Sequence, residues 1–186
     1  MEKTRKILDT ALRLFVEFGF HGTPTSKIAQ EAGVANGTLF NKFKTKDDLI
    51  IALFVDIETR MSEYIAENAK QESSLKETLK GQYIASLYWA LDNKDEFRFV
   101  EQFKTSPFLS LIAPDEIEKA VKPFCGMLKQ GISDNIIKPL PVDYLFTLIS
   151  SHTYGLNHYL LNNEFSRARQ HQIISDTFDL LWEMIT

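Results

Sequence analysis

The chain has 186 residues, of which 44% are hydrophobic and 25% charged, and its net charge at neutral pH is −4. That balance describes an ordinary globular protein with a sizeable core and excludes a disordered chain. The single cysteine, Cys125, excludes an internal disulfide, and no apolar run approaches the roughly 20 residues that span a bilayer.

The chain opens on Met1-Glu2-Lys3-Thr4-Arg5-Lys6, charges with no apolar signal region behind them, which points to a cytoplasmic protein. A first helix is expected over 3–18, because Ile7, Leu8, Ala11, Leu12, Phe15 and Phe18 recur at helical spacing. Gly19 is placed to end it in a left-handed cap. Lys3 and Arg5, at its start, are candidates for a phosphate contact. In the stretch 25–34, Ile28, Ala29 and Ala32 give a short helix one small apolar face, with Thr25 or Ser26 as its cap. Gly33 then allows a left-handed turn, and Val34 returns to the core. A second short helix points Leu39 and Phe43 inward and Thr38, Asn41 and Lys42 outward. Two short helices joined by a tight glycine turn form a helix-turn-helix, whose second helix enters the DNA major groove.

Charge placement agrees. Residues 1–50 hold eight Lys/Arg against six Asp/Glu, a balance of +2, so residues 51–186 carry −6. Within 36–46 there are three lysines and no acid. Phosphate attraction is local, since screening limits it to about 8 Å at physiological salt. A basic tip on an acidic body can therefore hold DNA.

The order of residue types goes further. Ile28, Ala29, Ala32, Gly33 and Val34, then Gly37, Thr38, Leu39, Phe40 and Phe43, then Lys46 and Leu49 closely resemble the DNA-binding signature of the TetR/AcrR family of bacterial transcriptional repressors. The resemblance covers about the first 50 residues. Thr25, Ser26, Lys27 and Lys46 fit phosphate clamping from the two helix starts, beside a recognition helix carrying Asn36, Gly37, Thr38, Phe40, Asn41 and Lys42. Two positions depart from the pattern. Ala35 replaces the serine that would cap the recognition helix, leaving Asn36 to cap it. Phe40 replaces a tyrosine whose hydroxyl would reach a phosphate.

Beyond this signature a long helix is expected over 47–68, with Leu49, Ile50, Leu53, Phe54, Ile57, Met61, Tyr64 and Ile65 as its face. Gln71-Glu72-Ser73-Ser74 reads as a linker, with Ser74 capping a helix built on Leu75, Leu79, Tyr83, Leu87 and Leu91. Phe97, Phe99, Val100 and Phe103 form a short aromatic helix that ends near Ser106-Pro107. Pro114 opens a helix in which Pro123 should introduce a kink or a new segment. Residues 142–162 and 167–185 close the chain as two helices with apolar residues on nearly all sides, which calls for a partner surface.

The expectation is an all-α protein of about nine helices. Residues 1–46 form a three-helix DNA-binding domain, and 47–186 an effector-binding and dimerisation domain. The family resemblance implies a homodimer through the last two helices, a palindromic DNA operator, and a small, largely apolar effector that releases it. Tyr64, Tyr83, Trp89, Phe103, Phe124, His152 and Tyr159 are the candidate effector contacts, tyrosines and histidine serving as polar anchors among rings. No cofactor or metal is expected: His21, His152, His158 and His171 lack ligand spacing. Ser150-Ser151-His152 sits on a helix without a nucleophile elbow, so an enzyme is not expected. The competing reading is a helical ligand-binding or scaffold dimer whose helix-turn-helix is vestigial.

Overall fold

The computed structural model describes residues 2–69 and 72–186; Met1 and Gln71 of the expected linker lie outside them. Among the described residues there are nine α-helices, one short 3-10 helix and no strand. The helices are α1 (Glu2–Gly22), α2 (Thr25–Glu31), α3 (Asn36–Lys42), α4 (Lys46–Asn68), α5 (Leu75–Asp92), α6 (Lys94–Lys104), α7 (Pro114–Ser133), α8 (Val142–Leu161) and α9 (Arg167–Ile185), with the 3-10 helix at Pro107–Leu111. They group into two compact units. One joins Met1–Arg60 to Asn93–Ala113, and the other joins Met61–Asp92 to Pro114–Thr186. This grouping is not sequential: α6 packs with α1 in the first unit.

In the first unit α1 does not end at Gly19. Gly19 takes φ 72° and ψ 170°, a backbone region essentially reserved for glycine, and the chain kinks there and stays helical to Gly22. Thr23 pins the kink from inside, its fully buried hydroxyl lying 3.0 Å from the Leu14 carbonyl and 2.9 Å from that of Gly19. The kink corrects the expected stripe. Phe18 is 43% exposed, while Leu14 and Phe20 are buried. Phe20 meets Phe15, Phe99 and Phe108 edge-on at centroid distances of 5.4, 5.6 and 5.2 Å. Phe54 of α4 stacks on Phe103 of α6 at 4.0 Å. Beneath these rings α4 buries Leu49, Ile50, Leu53 and Ile57, the face that its periodicity indicated.

The second unit packs α5, α7, α8 and α9 around Leu79, Leu87, Leu128, Leu145, Ile174 and Phe178. Ser74 caps α5 as expected, its hydroxyl accepting from the Glu77 amide at 3.2 Å. Ser166 does the same for α9 through the Arg169 amide at 3.3 Å. At the other end of α9, the Lys138 ammonium donates to the Met184 carbonyl at 2.8 Å, where a cation also suits the helix dipole. Helix α7 continues through Pro123, and no new segment begins there. On α9, Leu181 belongs to the unit's own core and Trp182 packs partly against it. On α8 and α9 the large apolar groups left exposed are Leu180, 65% exposed, and Met184 on α9, with Tyr144 and Tyr159 on α8. No helix among the described residues is long and apolar enough to cross a membrane.

Candidate nucleic-acid interface

The turn between α2 and α3 is a complete Schellman motif. Gly33 sits at φ 66°, its amide bonds to the Gln30 carbonyl at 3.1 Å, and the Val34 amide bonds to Ala29 at 2.9 Å. The glycine is where the sequence requires it, and Val34 is half-buried against the turn. The helix starts differ from expectation. Pro24 and Ala35 occupy the capping positions in extended conformation, and neither α2 nor α3 has a side-chain cap. Thr25 and Asn36 are already helical, so their side chains cannot reach back as caps, and Ser26 lies one residue further in.

Helix α3 is anchored by Leu39 and Phe43, both buried. Its other face is open: Asn36, Gly37, Asn41 and Lys42 are exposed, Phe40 is 44% exposed, and Thr38 is half-buried. On α2, Ser26 is exposed, Thr25 and Lys27 are half-buried, and the Lys27 ammonium stands 3.7 Å above the centre of the Phe18 ring. An ion pair between Arg13 and Glu31 ties α2 to α1. Among the described residues, no carboxylate comes within ion-pair distance of Lys27, Lys42, Lys44 or Lys46. Burial draws the Lys46 ammonium below its ordinary pKa, with Asp47 opposing that shift.

Helix α4 begins with a device that the sequence reading missed. The Thr45 hydroxyl accepts from the Asp48 amide and the Asp48 carboxylate accepts from the Thr45 amide, each at 3.0 Å. This reciprocal cap fixes the chain just before Lys46. Its threonine-x-x-acid spacing was legible. Lys42, meanwhile, lines an open notch with Thr4, Arg5 and Leu8 of α1 and Asp56 of α4.

Of the candidate effector contacts, Tyr83 and His152 meet in the second unit, the phenol oxygen 3.2 Å from Nδ1. Burial raises the Tyr83 pKa and lowers that of His152, so both groups are held neutral. Trp89 is buried, Phe124 packs edge-on to Phe146 at 6.1 Å, Tyr64 is half-buried and Tyr159 is exposed beside Phe165. Phe103 lies instead in the core of the first unit. Sequence reading passed over Asn157, which is only 3% exposed and whose Oδ1 has no hydrogen-bond partner. An asparagine between Leu156 and His158 gave no pattern to find it by.

Residues 7–53 match the family model for bacterial regulatory proteins of the tetR family. A solved tetR-family structure from Shewanella sp. PV-4 superimposes with a TM-score of 0.90 at 28% identity, covering 98% of this chain and 97% of that one. Over residues 7–53 the chain is similar to the DNA-binding part of tetR-family regulators, and its fold is similar to theirs. Among curated tetR-like relatives, the fatty acid metabolism regulator protein of Bacillus subtilis is 39% identical over 77 residues, 41% of this chain and 40% of that protein. The transcriptional repressor AcnR of Corynebacterium diphtheriae is 33% identical over 70 residues, 38% of this chain and 37% of that protein. The chain thus spans about two fifths of the length of these relatives. Both are regulators rather than enzymes.

Proposed function

We propose that the chain is a sequence-specific DNA-binding repressor, released from its operator by a small, largely apolar effector. The observation that carries the DNA half is the open face of α3, with Gly37, Phe40, Asn41 and Lys42 presented and unpaired lysines on either side. Asn41 has the two-pronged amide that pairs with adenine in the major groove, and the Thr38 methyl suits a thymine methyl. Thr25, Ser26, Lys27 and Lys46 hold phosphate, while Asn36 and Gly37 let the start of α3 approach the groove. Lys42, which lines the notch beside α1, joins the phosphate set.

DNA recognition belongs to 1–46 in this reading, and effector recognition and dimerisation to 47–186. Support for the effector half comes from polar groups set in an apolar core: the Tyr83–His152 pair and the unpartnered Asn157 oxygen. Leu180, Met184, Tyr144 and Tyr159 supply the apolar surface for pairing with a second copy through α8 and α9. A two-fold dimer presents two recognition helices, so its operator is a palindrome. The protein acts in the cytoplasm, on the chromosome. Repression is carried over from the AcnR likeness.

Selection of binding sites from a random duplex pool tests the reading. It should return a palindrome. Asn41→Ala should then relax preference at one position of each half-site by about 1–3 kcal/mol. Lys46→Ala should lower affinity for every sequence and flatten the salt dependence by about one unit. Failure of the full chain to enrich any duplex would remove the DNA reading.

A further inference from the structure

The notch beside α3 contains about 390 Å³ and lies wholly within the first unit. Two of its lining groups are cations, and they differ in their engagement. Lys42 has no carboxylate partner among the described residues. Arg5 divides its guanidinium between two acids: Nη2 lies 2.7 Å from Asp9 Oδ1, and Nη1 lies 3.1 and 3.3 Å from the two oxygens of Asp56. Asp56 in turn accepts from Arg60 Nε at 3.0 Å, and Arg60 Nη1 donates to Glu96 Oε1 at 3.3 Å. The charges therefore alternate along Asp9, Arg5, Asp56, Arg60 and Glu96, with Arg5 at the notch.

This arrangement makes Arg5 cheap to withdraw. Asp56 keeps Arg60 if Arg5 leaves, so no enclosed carboxylate is left without a cation, which is the costly outcome when a pair is broken. Arg5 and Asp9 are both substantially exposed, and exposed ion pairs hold weakly. A phosphate oxygen in the notch would find the Lys42 ammonium, the Thr4 hydroxyl and the planar fork of Arg5, which fits phosphate as well as it fits carboxylate. Resting on the DNA-binding reading above, we infer that Arg5 is a DNA-phosphate residue held in reserve and that Asp56 competes with the duplex for it. Asp56 thereby sets how tightly the protein holds DNA.

The test is duplex binding by the full chain, followed by fluorescence anisotropy over a salt series. Asp56→Asn keeps the shape and an acceptor for Arg60 but gives up the charge that holds Arg5. It should bind duplex several-fold more tightly. Arg5→Gln should bind more weakly, with the salt slope reduced by about one unit. The deciding comparison is Asp56→Asn in the Arg5→Gln background, where the gain should disappear. An equal gain in both backgrounds would mean that losing a negative charge near DNA is the whole effect, and the inference would fall; no gain in the wild-type background would sink it equally. Should Asp56→Asn fail to fold, Asp9→Asn, on the exposed face of α1, frees Arg5 from its other acid and enters the same cycle. A wild-type chain that binds no duplex overturns both this inference and the DNA reading. One that binds duplex without Arg5–Asp56 coupling overturns only the inference.

Discussion

At Phe40 a single atom separates this chain from the pattern it resembles. The ring stands 44% exposed on the open face of α3, with no hydroxyl to offer. Phe40→Tyr should tighten operator binding by roughly 0.5–1.5 kcal/mol, the ordinary net worth of one added hydrogen bond. An unchanged affinity in anisotropy titrations would mean that α3 sits differently on the groove. His152 gives a second residue-scale expectation. Burial lowers its pKa from the ordinary 6.5, and the Tyr83 phenol, kept protonated by burial, can donate to a neutral Nδ1. The folded state thus prefers neutral His152. Its contribution to stability is complete above pH 6.5 and is lost as pH falls through the lowered value. Thermal unfolding of wild type and His152→Gln across this range should show the wild-type midpoint falling faster on acidification. Parallel curves would remove His152 as the cause.

Among the elements, α1 is the one whose shape depends most on a single glycine. Nothing lies within 4 Å of a methyl group built on Gly19, so Gly19→Ala would cost only backbone strain, about 1–3 kcal/mol for a residue forced into that region. Urea unfolding should show that loss, and an unchanged midpoint would mean the kink relaxes freely. Helical periodicity read α1 well to Phe15 and then failed. The period continues through Phe18, whereas the chain turns at Gly19 and delivers Phe20 to the core. Caps were legible only in part. Ser74 was found because it precedes a clear apolar run. Thr25 and Asn36 were misplaced by one position, because Pro24 and Ala35 take the extended conformation that marks the true caps. The glycine turn and the buried Leu39 and Phe43 stood where the sequence put them, because their residue types leave little alternative.

For the whole molecule, the proposed pairing of two copies is where the structure redirects the experiment most. The sequence shows α9 as apolar on nearly all sides and cannot say which side its own chain covers. Leu181 proves to be core, so charging it would unfold the second unit rather than separate copies. Leu180→Glu with Met184→Lys leaves that core alone and should give soluble monomers by light scattering. Operator affinity should fall steeply with it, since one half-site offers too few contacts. A variant that stays dimeric would move the interface elsewhere. Tertiary grouping was the least legible feature. Sequence order sets α6 with the later helices, and only long-range ring contacts reveal that Phe99 and Phe103 belong with Phe15 and Phe54.

That grouping bears on how the protein is made. During synthesis the helix-turn-helix leaves the ribosome well before α6, and until α6 and the 3-10 helix after it emerge Phe15 and Phe20 lack the rings of Phe99 and Phe108. The nascent first unit must wait while residues 61–92, which belong to the other unit, are translated between its two parts. A hybrid regulator cut after α4 would take its reading head without the helix that closes that head's core. The exchangeable piece is Met1–Arg60 together with Asn93–Ala113.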